Sequence, residues 1–159
     1  MIKMKKLLPI LLAAAFIISS LTGCSLDLSH KHYTDDFGFC KTCDTDLCRA
    51  LRESGSILTS GSVNAADGET LYFSFKPNGA GSTVIKIVSE SAVLDERGVD
   101  IYTRDSYGIG FIPLYSDDGN VKILKSNGTL DTDTVYYIRF TVKRRGTVTV
   151  NIDCHVSDI

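Results

Sequence analysis

From Ile57 onward, apolar and polar positions alternate with a period of two. In "LYFSFK", Leu71, Phe73 and Phe75 fall on one face and Tyr72, Ser74 and Lys76 on the other. "TVIKIVS" follows the Asn78-Gly79-Ala80-Gly81 turn, then "VDIYT", "FIPLY" and "VKIL", the last after Asp117-Asp118-Gly119-Asn120. "VYYIRFTVK" sets Tyr136, Ile138, Phe140 and Val142 against Val135, Tyr137, Arg139 and Thr141. "TVTVNIDCHV" sets Val148, Val150, Ile152, Cys154 and Val156 against Thr147, Thr149, Asn151, Asp153 and His155. Short alternating strands rich in β-branched and aromatic residues, separated by regular turns, predict an all-β chain. The expected architecture is an antiparallel two-sheet sandwich, jelly-roll-like, of about seven or eight strands over residues 57–159. Arg144-Arg145-Gly146 is expected to close a hairpin between the last two strands. Upstream, "DTDLCRALRES" predicts one short helix capped by Asp44 or Thr45, with Leu47, Cys48 and Leu51 on one face.

The N-terminal pattern is different. Lys3, Lys5 and Lys6 precede an apolar run from Leu7 to Ile18, too short for a permanent membrane span and right for the h-region of a signal peptide. Leu21-Thr22-Gly23-Cys24 resembles the lipobox of bacterial lipoproteins. That resemblance implies cleavage after residue 23 and acyl chains such as palmitate on Cys24. The protein would then be extracytoplasmic and held by lipid to the cell membrane or an outer membrane. The expected domains are a signal peptide over 1–23, a lipidated Cys/His-rich segment with the short helix over 24–56, and the sandwich. Of seventeen basic residues three leave with the leader, so fourteen remain against nineteen acidic ones, a net charge of −5. That excludes nucleic acid as the natural partner and gives no polybasic hold on anionic lipid.

Three stretches carry a family resemblance: "SILTSGSVNAADGETLYFSFKPNGAGSTVIKIVS", "GVDIYTRDSYG" and "DTDTVYYIRFTVKRRGTVTVNI". Together they resemble the bacterial pre-peptidase C-terminal domain, with Asp100-Ile101-Tyr102 as its D-x-Y strand and Val135-Tyr136-Tyr137 opening its final pair. The resemblance implies a β-sandwich that is a non-catalytic accessory of secreted enzymes, in some cases linked to surface or polymer binding.

The cysteines raise separate questions. Cys154 falls on the apolar side of its strand, and a Cys48–Cys154 disulfide would pin the short helix to one end of the sandwich, stabilising it by about 3–5 kcal/mol in the chain-entropy picture. His30, His32, Cys40 and Cys43 remain. "HYTDDFGFCKTC" is His-x7-Cys-x2-Cys and resembles the short knuckles of bacterial surface proteins that look like half a zinc ribbon. A C-x-x-C turn offers two thiolates to one tetrahedral ion, and imidazole completes an N/S set suited to structural zinc, with His30 or Cys48 as fourth ligand. A Cys40–Cys43 disulfide and a solvated tether stay open beside it. Redox catalysis would need a lowered thiol pKa inside a βαβ framework, which this pattern lacks.

Other chemistry is thinner. Asp95, Glu96, Asp100, Asp117, Asp118, Asp131 and Asp133 are loop acids that could gather calcium, but turn formation accounts for them equally. Tyr72, Tyr102 and Tyr137 are expected on an outward face as an aromatic strip for a glycan or protein ligand. No nucleophile elbow, phosphate loop or H-E-x-x-H motif is present. The leading expectation is a lipid-anchored, non-catalytic binding or interaction module of the cell envelope. The alternatives are a metal-handling lipoprotein working through His30–Cys43, and a secreted hydrolase with a pocket the sequence does not reveal.

Overall fold

The structure is a computed structural model that describes residues 31–95, 98–117 and 120–157. The leader over 1–23, Cys24, His30, Glu96 and Asp118 lie outside the described residues. The chain divides between His32 and Tyr33, and everything from Tyr33 onward belongs to one unit.

That unit contains two sheets. In the five-stranded sheet, β11 (Tyr136–Arg144) is central. It pairs antiparallel with β5 (Thr70–Phe75) along one edge, and with β7 (Val93–Leu94) and β8 (Asp100–Tyr102) along the other. A two-residue strand, β1 (Arg49–Ala50), joins β5 in parallel. The seven-stranded sheet runs β2 (Arg52–Ser54), β3 (Ile57–Thr59), β12 (Gly146–Val156), β6 (Ser82–Glu90), β10 (Val121–Thr129) and β9 (Phe111–Asp117), with β4 (Val63–Ala65) also on β12. The chain is therefore all-β and rich in antiparallel pairs. Twelve strands among the described residues exceed the seven or eight expected, because short flanking pieces pair with the long strands.

Alternation explains the core. Leu71, Phe73 and Phe75 of β5 and Tyr136, Ile138, Phe140 and Val142 of β11 share one buried cluster with Ile85 and Ile87 of β6 and Val148, Val150, Ile152 and Cys154 of β12. Phe73 stacks on Phe140 with ring centroids 5.8 Å apart. Each fully buried side chain of this size contributes roughly 1.5–3 kcal/mol relative to exposure.

Three expectations are corrected. Arg144-Arg145-Gly146 does not close a hairpin, since β11 and β12 belong to different sheets. It is a corner, and its glycine is required by space: a Cβ at Gly146 would lie 2.2 Å from the Ala92 nitrogen. Asp67 steadies the corner by accepting the Arg145 N–H at 2.5 Å.

The expected short helix is absent, and the described residues contain none. Asp44 sits at φ 54°, and the Asp46 carboxylate accepts the Cys48 N–H at 2.8 Å. Local carboxylate–backbone bonds of this kind compete with a helix, and a helix this short is marginal without tertiary support. The chain instead runs into β1, with Leu51 N–H donating to the Ser74 carbonyl at 2.8 Å.

The Cys48–Cys154 disulfide is not formed; all four described cysteines are unbridged. Cys154 lies in the core between the sheets, whereas Cys48 packs with Phe39, Tyr102 and Tyr137 in a second cluster. The alternation of β11 puts Tyr137 on the face opposite Ile138, so the two sulfurs lie on opposite sides of the five-stranded sheet.

Candidate functional site

The second cluster is built by a cover segment, 33–48. Asp35 Oδ1 accepts the N–H groups of Phe37 at 2.8 Å and Phe39 at 2.9 Å, a side-chain turn that throws both rings the same way, onto the sheet. Phe39 meets Tyr137 edge-on at 5.1 Å, and Tyr137 stacks on Tyr102 at 5.5 Å. Gly38, at φ 86°, lies against Cys48 and the Tyr72 ring. The Tyr102 hydroxyl donates to the Phe37 carbonyl at 2.6 Å.

The tyrosines expected as an exposed strip are thus largely covered. Tyr102 and Tyr137 are 1% and 4% exposed, and Tyr72 is half-buried. Burial raises the phenol pKa of all three above the ordinary value. Sequence alternation assigned them the right face of the sheet; the cover lies on top of it.

Two arginines tie the cover down. Arg139 on β11 donates from Nε and Nη2 to Asp100 Oδ2 at 3.0 and 2.7 Å, from Nη1 to the Asp36 carbonyl at 2.6 Å, and from Nη2 to the Tyr107 hydroxyl at 2.6 Å. Arg104 donates to Asp44 Oδ2 at 2.9 Å and to the Asp44 carbonyl at 3.2 Å, with its guanidinium 4.5 Å above the Phe39 ring. The turn after β8 is closed by Thr103 N–H to the Ser106 carbonyl at 2.8 Å, and it brings Tyr107 back beside Tyr102.

Between cover and turn lies a cleft of about 520 Å³, within the range of ligand pockets. Phe37, Phe39, Tyr102 and Tyr107 supply its apolar walls, and Asp35, Asp44, Arg104 and Asp105 its charge. Phe37 and Tyr107 stay 43% and 58% exposed at its mouth. A second hollow of about 700 Å³ lies on the far side of the same turn, against Ile109 and Tyr136. Phe37, Tyr107, Arg104 and Arg139 were not legible as site residues from sequence. The spacing Asp35-x-Phe37-x-Phe39 was the available signal, but its meaning depends on Asp100 facing Arg139 and Tyr102 facing Tyr137 across β8 and β11.

The Cys/His segment shares the cover. The sulfurs of Cys40 and Cys43 lie within 4.8 Å of each other, a pair that could contribute to a metal site, while His32 belongs to the preceding unit. Cys40 is buried; its N–H donates to the Thr45 carbonyl at 2.8 Å, and its carbonyl accepts the Asp44 N–H at 2.9 Å. Cys43 is exposed, with its sulfur 3.0 Å from Thr45 Oγ1. Cys48 is not part of that group, and burial, then the Asp46 carboxylate, raises its thiol above the ordinary value.

Two of the loop acids, Asp100 and Asp131, serve the fold. Asp100 is held by Arg139, and Asp131 accepts the Asp133 N–H at 2.9 Å and the Thr134 hydroxyl at 2.9 Å. The backbone bond from Asp133 keeps the Asp131 carboxyl below its usual range. His155 is exposed, as its strand position predicted. In comparison with known proteins, no family model matches the chain, and no curated protein or solved structure matches it.

Proposed function

We propose that this protein is a lipid-anchored cell-envelope protein whose sandwich is a non-catalytic binding module, with the aromatic cleft as its binding face. The observation that carries the binding role is the cleft itself: two exposed rings, Phe37 and Tyr107, stand at the mouth of a ligand-sized hollow. Apolar rings left in solvent beside a few fixed charges are the usual composition of a recognition surface. The polar groups at the cleft hold the fold, Asp35 turning the cover and Asp44 pairing with Arg104, which suits recognition better than proton transfer. The anchor rests on the Leu21–Cys24 sequence, and an accessory role agrees with the resemblance to pre-peptidase C-terminal domains.

Two measurements test this. Labelled palmitate should enter the intact chain and vanish in Cys24→Ala, which should also move from the detergent phase to the aqueous phase. A photo-crosslinking residue at Tyr107 should capture an envelope component that the same residue at Asn64 does not. Failure to label removes the anchor; equal capture at both positions removes the binding face.

The paired cysteines of the Cys40–Cys43 turn favour a second reading, the metal-handling lipoprotein expected from the His30–Cys43 segment. In that reading the two thiolates and an imidazole take up zinc reversibly, and the sandwich is the scaffold. Zinc that exchanges freely with a chelator supports handling; one inert zinc per chain means a staple.

A further inference from the structure

The rings at the cleft mouth meet as a corner. Phe37 lies 5.9 Å from Tyr102 at an interplanar angle of 70°, and 5.9 Å from Tyr107 at 87°, while Tyr102 and Tyr107 are 6.0 Å apart and nearly parallel. A pyranose ring stacks best on a single flat platform. A right-angled corner instead suits a compact, rounded group that touches two ring surfaces at once. Charge points the same way: Asp35, Asp44 and Asp105 line the cleft with Arg104, leaving two carboxylates in excess, and the Arg139 guanidinium beside Tyr107 is balanced by Asp100. Asp44 is committed to Arg104. The molecule already uses this chemistry internally, with Arg104 over Phe39 at 4.5 Å and Arg139 over Tyr107 at 5.8 Å.

The geometry points to an ammonium-bearing ligand in this cleft: a cation seated against Phe37 and Tyr107 and balanced by Asp105. This names the ligand class for the binding face proposed above and rests on that reading. Attraction between a cation and aromatic faces, strengthened by a carboxylate, is the basis on which aromatic cages select ammonium groups. Either a quaternary ammonium headgroup or a primary amine on a peptide or amino sugar supplies that chemistry.

The test uses the intact chain, with tetramethylammonium, methylammonium and methyl glucoside as probes and ring and amide resonances as readout. Saturable shifts of Phe37 and Tyr107 with either ammonium ion are expected. Tyr107→Ala should weaken binding about tenfold while Tyr107→Phe retains it. Asp105→Asn should weaken it about threefold. Both residues are exposed, and an unchanged core spectrum verifies folding. Preference for tetramethylammonium identifies a headgroup as the source, and preference for methylammonium an amine. Shifts with methyl glucoside but neither cation would overturn the ammonium class and leave the binding face standing. No shift with any probe also overturns it; the binding face falls too only if Tyr107 crosslinks no more than Asn64 does.

Discussion

A Cβ at Gly38 would meet the Cys48 sulfur at 2.5 Å and the Tyr72 ring at 3.0 Å, and the residue sits at φ +86°. Both the space and the backbone conformation demand glycine there. Gly38→Ala should therefore destabilise the cover by about 1–3 kcal/mol, seen as faster hydrogen exchange at the Phe39 amide with core amides nearly unchanged. Cys48 and Tyr102 make a second prediction, on pH. Burial raises the pKa of both in the folded chain, so the unfolded chain releases these protons first as pH rises. Their contribution to stability is complete below the ordinary thiol value of 9.0 and is lost progressively above it, as the unfolded thiol and then the phenol ionise. Denaturant midpoints should fall above that pH, and the fall should be shallower in Cys48→Ala. A slope identical to that of the unmodified chain would mean that Cys48 titrates freely in the folded state.

Among the elements, β9 is an exposed edge strand with large apolar side chains. It ends the seven-stranded sheet, pairs with β10, and shows Ile112, Leu114 and Tyr115 to solvent at more than half of their surface. Pro113 lies in its middle, opposite Leu124, and the register shifts between Ile123 and Leu124. A proline and a bulge on an edge strand blunt it against pairing with another chain. Pro113→Val should restore an unbroken donor row and speed aggregation, measured by light scattering at fixed concentration, with little change in the unfolding midpoint. The inward faces of β5, β11 and β12 were legible in the sequence because a buried face imposes a period of two. The corner at Gly146 was not, since Arg-Arg-Gly has the composition of a hairpin turn. What makes it a corner is the distant backbone of Ala92. Likewise, alternation set Tyr102 and Tyr137 outward but carried no sign that residues 33–48 would form a layer over them. The expected helix gave way to a bond between Asp46 and the Cys48 N–H that helix propensity does not describe.

In the whole unit from Tyr33 onward, stability is uneven by construction. The sheets share a core in which Phe73, Ile85, Ile138 and Val150 are fully buried. The cover rests on a small aromatic cluster, the two arginine clasps and a few backbone bonds, among them the Leu47 N–H to the Gly38 carbonyl at 2.9 Å. Such a layer opens locally at lower free energy than the core it lies on. Since the cover carries Phe37 and the thiols of Cys40 and Cys43, anything bound there stabilises this layer first. Zinc bound by the Cys40–Cys43 turn should act by mass action: at one hundred times its dissociation constant it adds about 2.7 kcal/mol to the state that binds it. Native-state hydrogen exchange with and without zinc should then show slower opening of the Phe39, Cys40 and Leu47 amides. Amides of the fully buried Val150 and Ile152 should gain protection by the same amount, since global unfolding also releases the zinc. Cys43→Ser should remove the effect throughout. Protection confined to the core would place the metal elsewhere, and the cover would then be held by its rings and arginines alone.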